Sequence, residues 1–196
     1  MSRRLIVGLT GSFGSGKSTV GQILKDLGAR KVIDADRLAH ETFRPNHPIA
    51  KKIKTLFHMK TLNRKVVARE VFSKPAKRKQ LETLVHPYVY RRIISELKQV
   101  RSGVVVLEVP LLFETGFNKI CDVTVTVLSG NRNIVKRLVR SGFSPKEVRA
   151  RLRAQLPERE KRKRANLYIR NSGSKKLLIR ETKLVWQKLQ SILNKN

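Results

Sequence analysis

The sequence predicts an α/β fold in three layers, with a mainly parallel five-stranded sheet between helices. Three observations carry this reading. Short apolar runs alternate with amphipathic helical stretches along the chain. The runs Val104–Leu107 and Val123–Leu128 suit strands buried on both faces, as in a parallel sheet covered by helices. The first run, Leu5–Leu9, ends in a Gly/Ser-rich segment that passes directly into a helical pattern, which reads as strand, loop, helix.

In order, Leu5–Leu9 is the first strand, and Thr10–Ser15 the loop. From Lys17 a helix places Val20, Ile23, Leu24 and Leu27 on one face and closes at Gly28. Lys31–Ile33 is a second strand that delivers Asp34 and Asp36 at its carboxyl end. Residues 37–100 read as mostly helical, with breaks expected at Pro45, Pro48, Pro75 and Pro87. The third and fourth strands follow, the third between Gly103 and Pro110 and the fourth before Ser129-Gly130. A basic helical region from Asn131 to about Arg164, a strand Leu167–Arg170 and an amphipathic helix Lys175–Leu193 complete the chain. Trp186 is expected to anchor the last helix in the core. Two stretches stand out as additions to the core, residues 42–100 and 137–164; the core itself is about 1–41, 101–136 and 165–196.

The chain has 196 residues, 40% of them hydrophobic and 30% charged, enough for one compact domain with a core and against global disorder. No apolar stretch approaches the roughly 20 residues that span a bilayer. The N-terminus turns polar too soon for a secretory signal, so a cytoplasmic location is expected. The single cysteine, Cys121, excludes an internal disulfide framework and a cysteine-rich zinc site. The 44 Lys and Arg against 14 Asp and Glu give a net charge of +30. That charge suits nucleic-acid phosphates, small phosphorylated ligands or a general bias toward basic residues, and by itself does not choose among them.

Gly11, Ser12, Phe13, Gly14, Ser15, Gly16, Lys17 and Ser18 match G-x-x-x-x-G-K-[ST] at every fixed position, between a predicted strand and a predicted helix. The glycines let the backbone wrap an anion so that successive N–H groups point at phosphate oxygens. Lys17 then bridges the β- and γ-phosphates of ATP, the Ser18 hydroxyl ligates Mg²⁺, and the Thr19 hydroxyl reaches the α-phosphate. The chain has no N-K-x-D motif for guanine, Asn63-Arg64-Lys65-Val66 being the nearest. It is short for a motor or helicase. A small-molecule kinase remains, on a three-layer P-loop kinase fold. Asp36 is the better candidate for the base that takes a proton from the attacking hydroxyl. Asp34 is either a second crevice carboxylate or the N-cap of the helix starting at Ala35.

Further residues carry a family resemblance. Gly8-Leu9-Thr10-Gly11 with Gly14–Val20, followed by Val32-Ile33-Asp34-Ala35-Asp36, resembles dephospho-coenzyme A kinases. Leu62-Asn63-Arg64 with Val71-Phe72, Leu84–Pro87, Val109–Glu114, Arg151–Gln155 and the spaced residues from Arg164 to Gly173 resemble that family's later motifs, in order, over residues 5 to about 175. The resemblance implies transfer of a phosphoryl group from ATP to the ribose 3′-hydroxyl of dephospho-coenzyme A, with Asp36 as base. It implies that residues 42–100 bind the acceptor and 137–164 form an Arg-rich lid. By the same resemblance Arg140, supported by Arg164, neutralises the phosphates, Asn171 lies on the ATP side, and Arg64, His86, Pro110 and Leu111 lie on the acceptor side.

Glu108, where the family often has Asp, is expected to hold the metal through water. Asn63 and Asn166 replace family aspartates at an expected helix cap and strand lead-in. His86 either touches the acceptor or, with Pro87 opening a helix, caps or packs. Glu114 either orients substrate or caps its loop. Most charges between Arg149 and Arg164 read as a solvated lid face. No dedicated protein partner is implied, and a monomer or weak homo-oligomer is expected. Nucleic acid remains a candidate partner without a stacking-aromatic pattern behind it. The rival functions are another small-molecule or nucleoside monophosphate kinase and a basic, nucleic-acid-stimulated ATPase.

Overall fold

The computed structural model describes residues 3–195, the side chain of Phe72 excepted. The chain forms two compact units, one running up to Ile33 and from Gln99 onward, the other Asp34–Lys98. In the first unit the sheet order is β2-β3-β1-β4-β5, from strands β1 (Arg4–Gly11), β2 (Lys31–Asp34), β3 (Gly103–Glu108), β4 (Val123–Leu128) and β5 (Leu167–Arg170). β1 lies at the centre and pairs in parallel with β3 and β4, Leu9 opposite Glu108 and Gly11 opposite Val127. β5 runs parallel to β4 at the edge. This is the parallel α/β architecture that the apolar runs predict.

The register brings the ends of β1, β3 and β4 to one edge of the sheet, where loops gather at the strands' carboxyl termini. Leu5, Val7 and Leu9 of β1 are buried with Val104 and Val106 of β3, Val123, Val125 and Val127 of β4, and Ile169 of β5. Helices α1 (Lys17–Asp26) and α9 (Lys175–Lys195) cover this core with Val20, Leu24, Leu178, Val185 and Leu189, and Trp186 packs at its margin. α1 ends as the sequence predicts. Gly28 adopts φ 114°, its N–H donates to Lys25 O, and the Ala29 N–H reaches back to Leu24 O, a Schellman closure.

Cys121 is packed beneath the central strand, since a Cβ on Gly8 would fall 2.8 Å from its sulfur. Burial, reinforced by the charge of Asp122, pushes the thiol up to about 12. At pH 8 only about one molecule in 10⁴ then carries the reactive thiolate. Native protein should therefore resist a disulfide reagent at pH 8 and react on addition of denaturant. Stoichiometric labelling of the native chain within minutes would refute this.

The second unit is helical: α2 (Ala35–Glu41), α3 (Pro48–Leu56), α4 (Arg64–Ser73) and α5 (Pro75–Lys98). Pro48 opens α3 behind a His47 cap, and Asn63 caps α4 by accepting from the N–H groups of Lys65 and Val66. Asp34 is an N-cap, accepting the Arg37 N–H at 3.1 Å. Pro87 corrects an expectation. It lies inside the 24-residue α5, so it neither breaks the helix nor opens one, and His86 caps nothing. A mid-helix proline leaves one carbonyl without its N–H partner and costs about 3 kcal/mol. The buried stripe Val85, Val89, Ile93 and Leu97, packed against α2, α3 and α4, carries the helix through it.

Candidate active site

The phosphate loop leaves β1 at Gly11 and enters α1 at Lys17. Gly16, at φ 96°, N-caps that helix without lending it a side chain, so the first amides face the loop's concavity. Lys17 is 8% exposed and donates to Ser12 O at 3.3 Å. The Ser15 N–H closes the loop on Ser12 O at 3.0 Å, while the Ser15 hydroxyl is buried with no hydrogen-bond partner. Asn171, just past β5, donates from its amide to Ser15 O at 2.7 Å. A Cβ on Gly16 would collide with that amide, so glycine is required there for space as well as for backbone conformation. Asn171 therefore braces the loop from outside.

Ser18 and Glu108 meet at the other side of the loop. The Ser18 hydroxyl donates to Glu108 Oε1 at 2.7 Å, and Glu108, at the end of β3, is only 6% exposed. A Cβ on Gly21 would lie 3.2 Å from Glu108 Oε2, so the bare helix face there leaves room for the carboxylate. A hydroxyl and a carboxylate are the hard oxygen donors Mg²⁺ takes, and that ion needs only one or two of them beside phosphate oxygens. The pair fits the metal. Thr19 is exposed at the start of α1.

The basic region resolves into α6 (Asn131–Arg140), α7 (Pro145–Arg153) and α8 (Glu158–Arg164). α6 lies over the loop: a Cβ on Gly14 would fall 2.7 Å from the Leu138 side chain. Arg137 is the α6 arginine beside the loop, its Nη1 3.9 Å from where a Gly16 Cβ would stand. Its Nη2 donates to the Ser129 hydroxyl, which donates to Asn171 O at 2.8 Å. Arg140, by contrast, is exposed at the end of α6, in a groove of about 720 Å³ shared with Arg149 and Arg153. From α7, the Arg151 guanidinium sits 4.5 Å from the Phe13 ring and 5.2 Å from that of Phe143, and Gln155 Oε1 accepts the Phe13 N–H at 2.9 Å. Arg164 ends α8 and is exposed.

After β3, Pro110 O accepts from the Thr10 hydroxyl at 3.1 Å and Leu111 O from the Thr115 hydroxyl at 2.7 Å. Glu114 reaches the arm between α7 and α8, accepting the Leu156 N–H at 2.8 Å. Asn166 leads into β5 by accepting from both the N–H and the hydroxyl of Thr124, each at 2.8 Å.

In the helical unit Asp36 is exposed in the first turn of α2, with His40 one turn further on. Burial and the positive charge of Arg64 lower the basicity of His40, and the negative charges of Asp36 and Asp34 oppose them. His40 thus feels the fields of both Asp36 and Arg64. His86 is half-buried on α5, and burial lowers its basicity against the opposing charge of Glu82. His40 and Arg137 are additions that sequence reading did not single out, and Gln155 appears there only as the end of a family motif, with no role assigned. The i, i+4 spacing from Asp36 points to the first, and position three residues before Arg140 points to the second.

A phosphate loop with an inward lysine, a hydroxyl–carboxylate pair and an arginine-bearing helix over the loop, on a parallel sheet with a helical second unit, defines a P-loop kinase. The model of the family described as dephospho-CoA kinase matches residues 5–176. A dephospho-CoA kinase of Thermus thermophilus is 42% identical over 190 residues, covering 94% of this chain and 92% of that protein. A Thermus thermophilus crystal structure superposes with a TM-score of 0.81 at 41% identity, over 95% of this chain and 98% of the other. The dephospho-CoA kinase of Campylobacter jejuni does so with a TM-score of 0.67 at 28% identity, over 95% and 97%. The chain belongs to the dephospho-CoA kinase family. Among the described residues no helix is long and apolar enough to cross a membrane.

Proposed function

We propose that this chain phosphorylates the ribose 3′-hydroxyl of dephospho-coenzyme A with ATP, giving coenzyme A and ADP, the last step of coenzyme A synthesis. The observation that carries the reading is the phosphate loop, with buried Lys17 and the Ser18–Glu108 pair, in a chain matched to this family over residues 5–176. ATP lies along residues 11–19, its phosphates held by loop amides and by Lys17. Ser18, with Glu108 through water, holds Mg²⁺, which neutralises phosphate charge when bound. Asp36 takes the hydroxyl proton as the new P–O bond forms and the bond to the ADP oxygen breaks.

Residues 137–164 act as the lid, and Arg137 and Arg140 supply positive charge toward the transferring group. Asn171 keeps the loop in shape from behind. The helical unit carries the acceptor, with Arg64 and His86 on that side, and the family resemblance assigns Pro110 and Leu111 to the acceptor as well. Reaction in this reading takes place in the cytoplasm and calls for no protein partner.

The test is ADP release with ATP and Mg²⁺ on separate addition of dephospho-coenzyme A, AMP or RNA, with product mass read for the first. Stimulation by dephospho-coenzyme A alone, with a mass gain of one phosphate, is the expected result. Stimulation by AMP or by RNA in its place would replace this assignment with another kinase or with a nucleic-acid-dependent ATPase.

A further inference from the structure

The charge run between Arg149 and Arg164 contains one side chain that water does not reach. Lys161 of α8 is 0% exposed, whereas the side chain of Lys163 is 58% exposed. A buried ammonium persists only where partners replace its hydration. Lys161 has two: Nζ donates to Pro110 O at 2.6 Å and pairs with Glu114 Oε1 at 2.9 Å.

Each acceptor also holds a second donor. Pro110 O takes the Thr10 hydroxyl, one residue before the phosphate loop's first glycine, and Glu114 Oε1 takes the Leu156 N–H. One ammonium therefore ties together the end of β1, the segment after β3 and the return arm between α7 and α8. Beside Leu156 on that arm, Gln155 accepts the Phe13 N–H of the phosphate loop, and Arg151 lies over the Phe13 ring.

We propose that Lys161 is a positioning residue for phosphoryl transfer: through Glu114 it fixes the return arm so that Gln155 and Arg151 seat on the phosphate loop. The inference rests on the reading of residues 137–164 as a lid over ATP. A well-packed apolar side chain often stabilises such a site as well as an ion pair does. What the charge adds is direction, because charge-assisted hydrogen bonds to two fixed oxygens admit one placement of the arm where apolar packing admits several. Phosphoryl transfer depends on such placement, since its catalysis is mainly positioning and charge stabilisation.

Lys161→Met keeps an unbranched side chain of nearly the same length, one atom shorter, and removes its charge; Lys161→Met with Glu114→Gln also removes the carboxylate left unpaired. Kinetics with ATP, Mg²⁺ and dephospho-coenzyme A are measured together with thermal stability, ATP turnover without acceptor, and hydrogen exchange at the Gln155 and Leu156 amides. In the single variant kcat/KM for ATP should fall about 10- to 100-fold. The KM for the acceptor should stay unchanged, exchange at Gln155 and Leu156 should quicken, and acceptor-free hydrolysis should rise relative to transfer. The double variant should regain thermal stability without regaining the kinetics.

A change in melting temperature alone, or kinetic recovery in the double variant, would make Lys161 a packing residue and overturn the proposal. If Lys161→Met does not fold, Glu114→Gln alone is put through the same readouts, and unchanged kinetics and exchange there overturn it too. Failure of the functional reading shows separately, as wild-type protein that does not phosphorylate dephospho-coenzyme A. Exchange at Gln155 and Leu156 and affinity for a non-hydrolysable ATP analogue then still decide the role of Lys161.

Discussion

Lys17→Ala should lower kcat/KM by about 10³-fold or more, the scale of losing a preorganised charge aimed at the developing transition state. Lys17 is 8% exposed and donates to Ser12 O, a carbonyl that also receives the Ser15 N–H, so that oxygen keeps a donor after truncation. It also removes a largely buried ammonium from the folded chain, which by itself costs nothing and relieves desolvation. The melting temperature without nucleotide should therefore stay within a few degrees of wild type, while the rise that ATP produces should shrink as affinity falls. Loss of rate with a normal melting temperature separates a phosphate ligand from a structural lysine. Turnover within threefold of wild type would remove Lys17 from the catalytic set. Lys17→Arg should not rescue, because the planar guanidinium is larger and differently shaped from a point ammonium in a loop this tightly closed.

The phosphate loop was legible because its chemistry is written in consecutive residues: glycines that clear space, then Lys17 and Ser18 on the first turn of α1. The strands were legible because a parallel sheet buries both faces, so Val104–Leu107 shows as an apolar run with no structural context. Pro87 was misread because local propensity favours a break there and only packing against α2, α3 and α4 reverses it. Lys161 was hidden differently. Among the basic residues of 149–164, composition does not say which ammonium turns inward, and its partners Pro110 and Glu114 lie about fifty residues away. Arg137 and Arg140 sit one turn apart on α6, a separation that does not say which of them turns toward the phosphate loop, and the helix's rotation decides that Arg137 stands beside it. The two aspartates after β2 posed the same difficulty, since two residues of separation give no orientation until the cap hydrogen bond of one of them is known.

That hydrogen bond makes the second prediction sharp. Asp34 accepts the Arg37 N–H as the N-cap of α2, a role asparagine fills as well as aspartate, so Asp34→Asn should leave activity within a fewfold and stability within about 0.5 kcal/mol. Asp36 is exposed on the first turn, and in the proposed reaction its worth lies in accepting the proton of the attacking hydroxyl. Asp36→Asn keeps the shape and removes the basic oxygen. Its kcat should fall by roughly 10² to 10⁴-fold, the usual contribution of a positioned general base, with KM for ATP near wild type. The pair of isosteric changes, two residues apart, controls for charge: both remove one negative charge from the same end of α2 and alter the field at His40 in the same direction. Equal losses in the two variants would mean that the field of the α2 terminus matters rather than a specific base. A loss confined to Asp36→Asn, measured as single-turnover phosphate transfer so that product release cannot mask it, assigns the proton acceptor to Asp36 and leaves Asp34 to the helix.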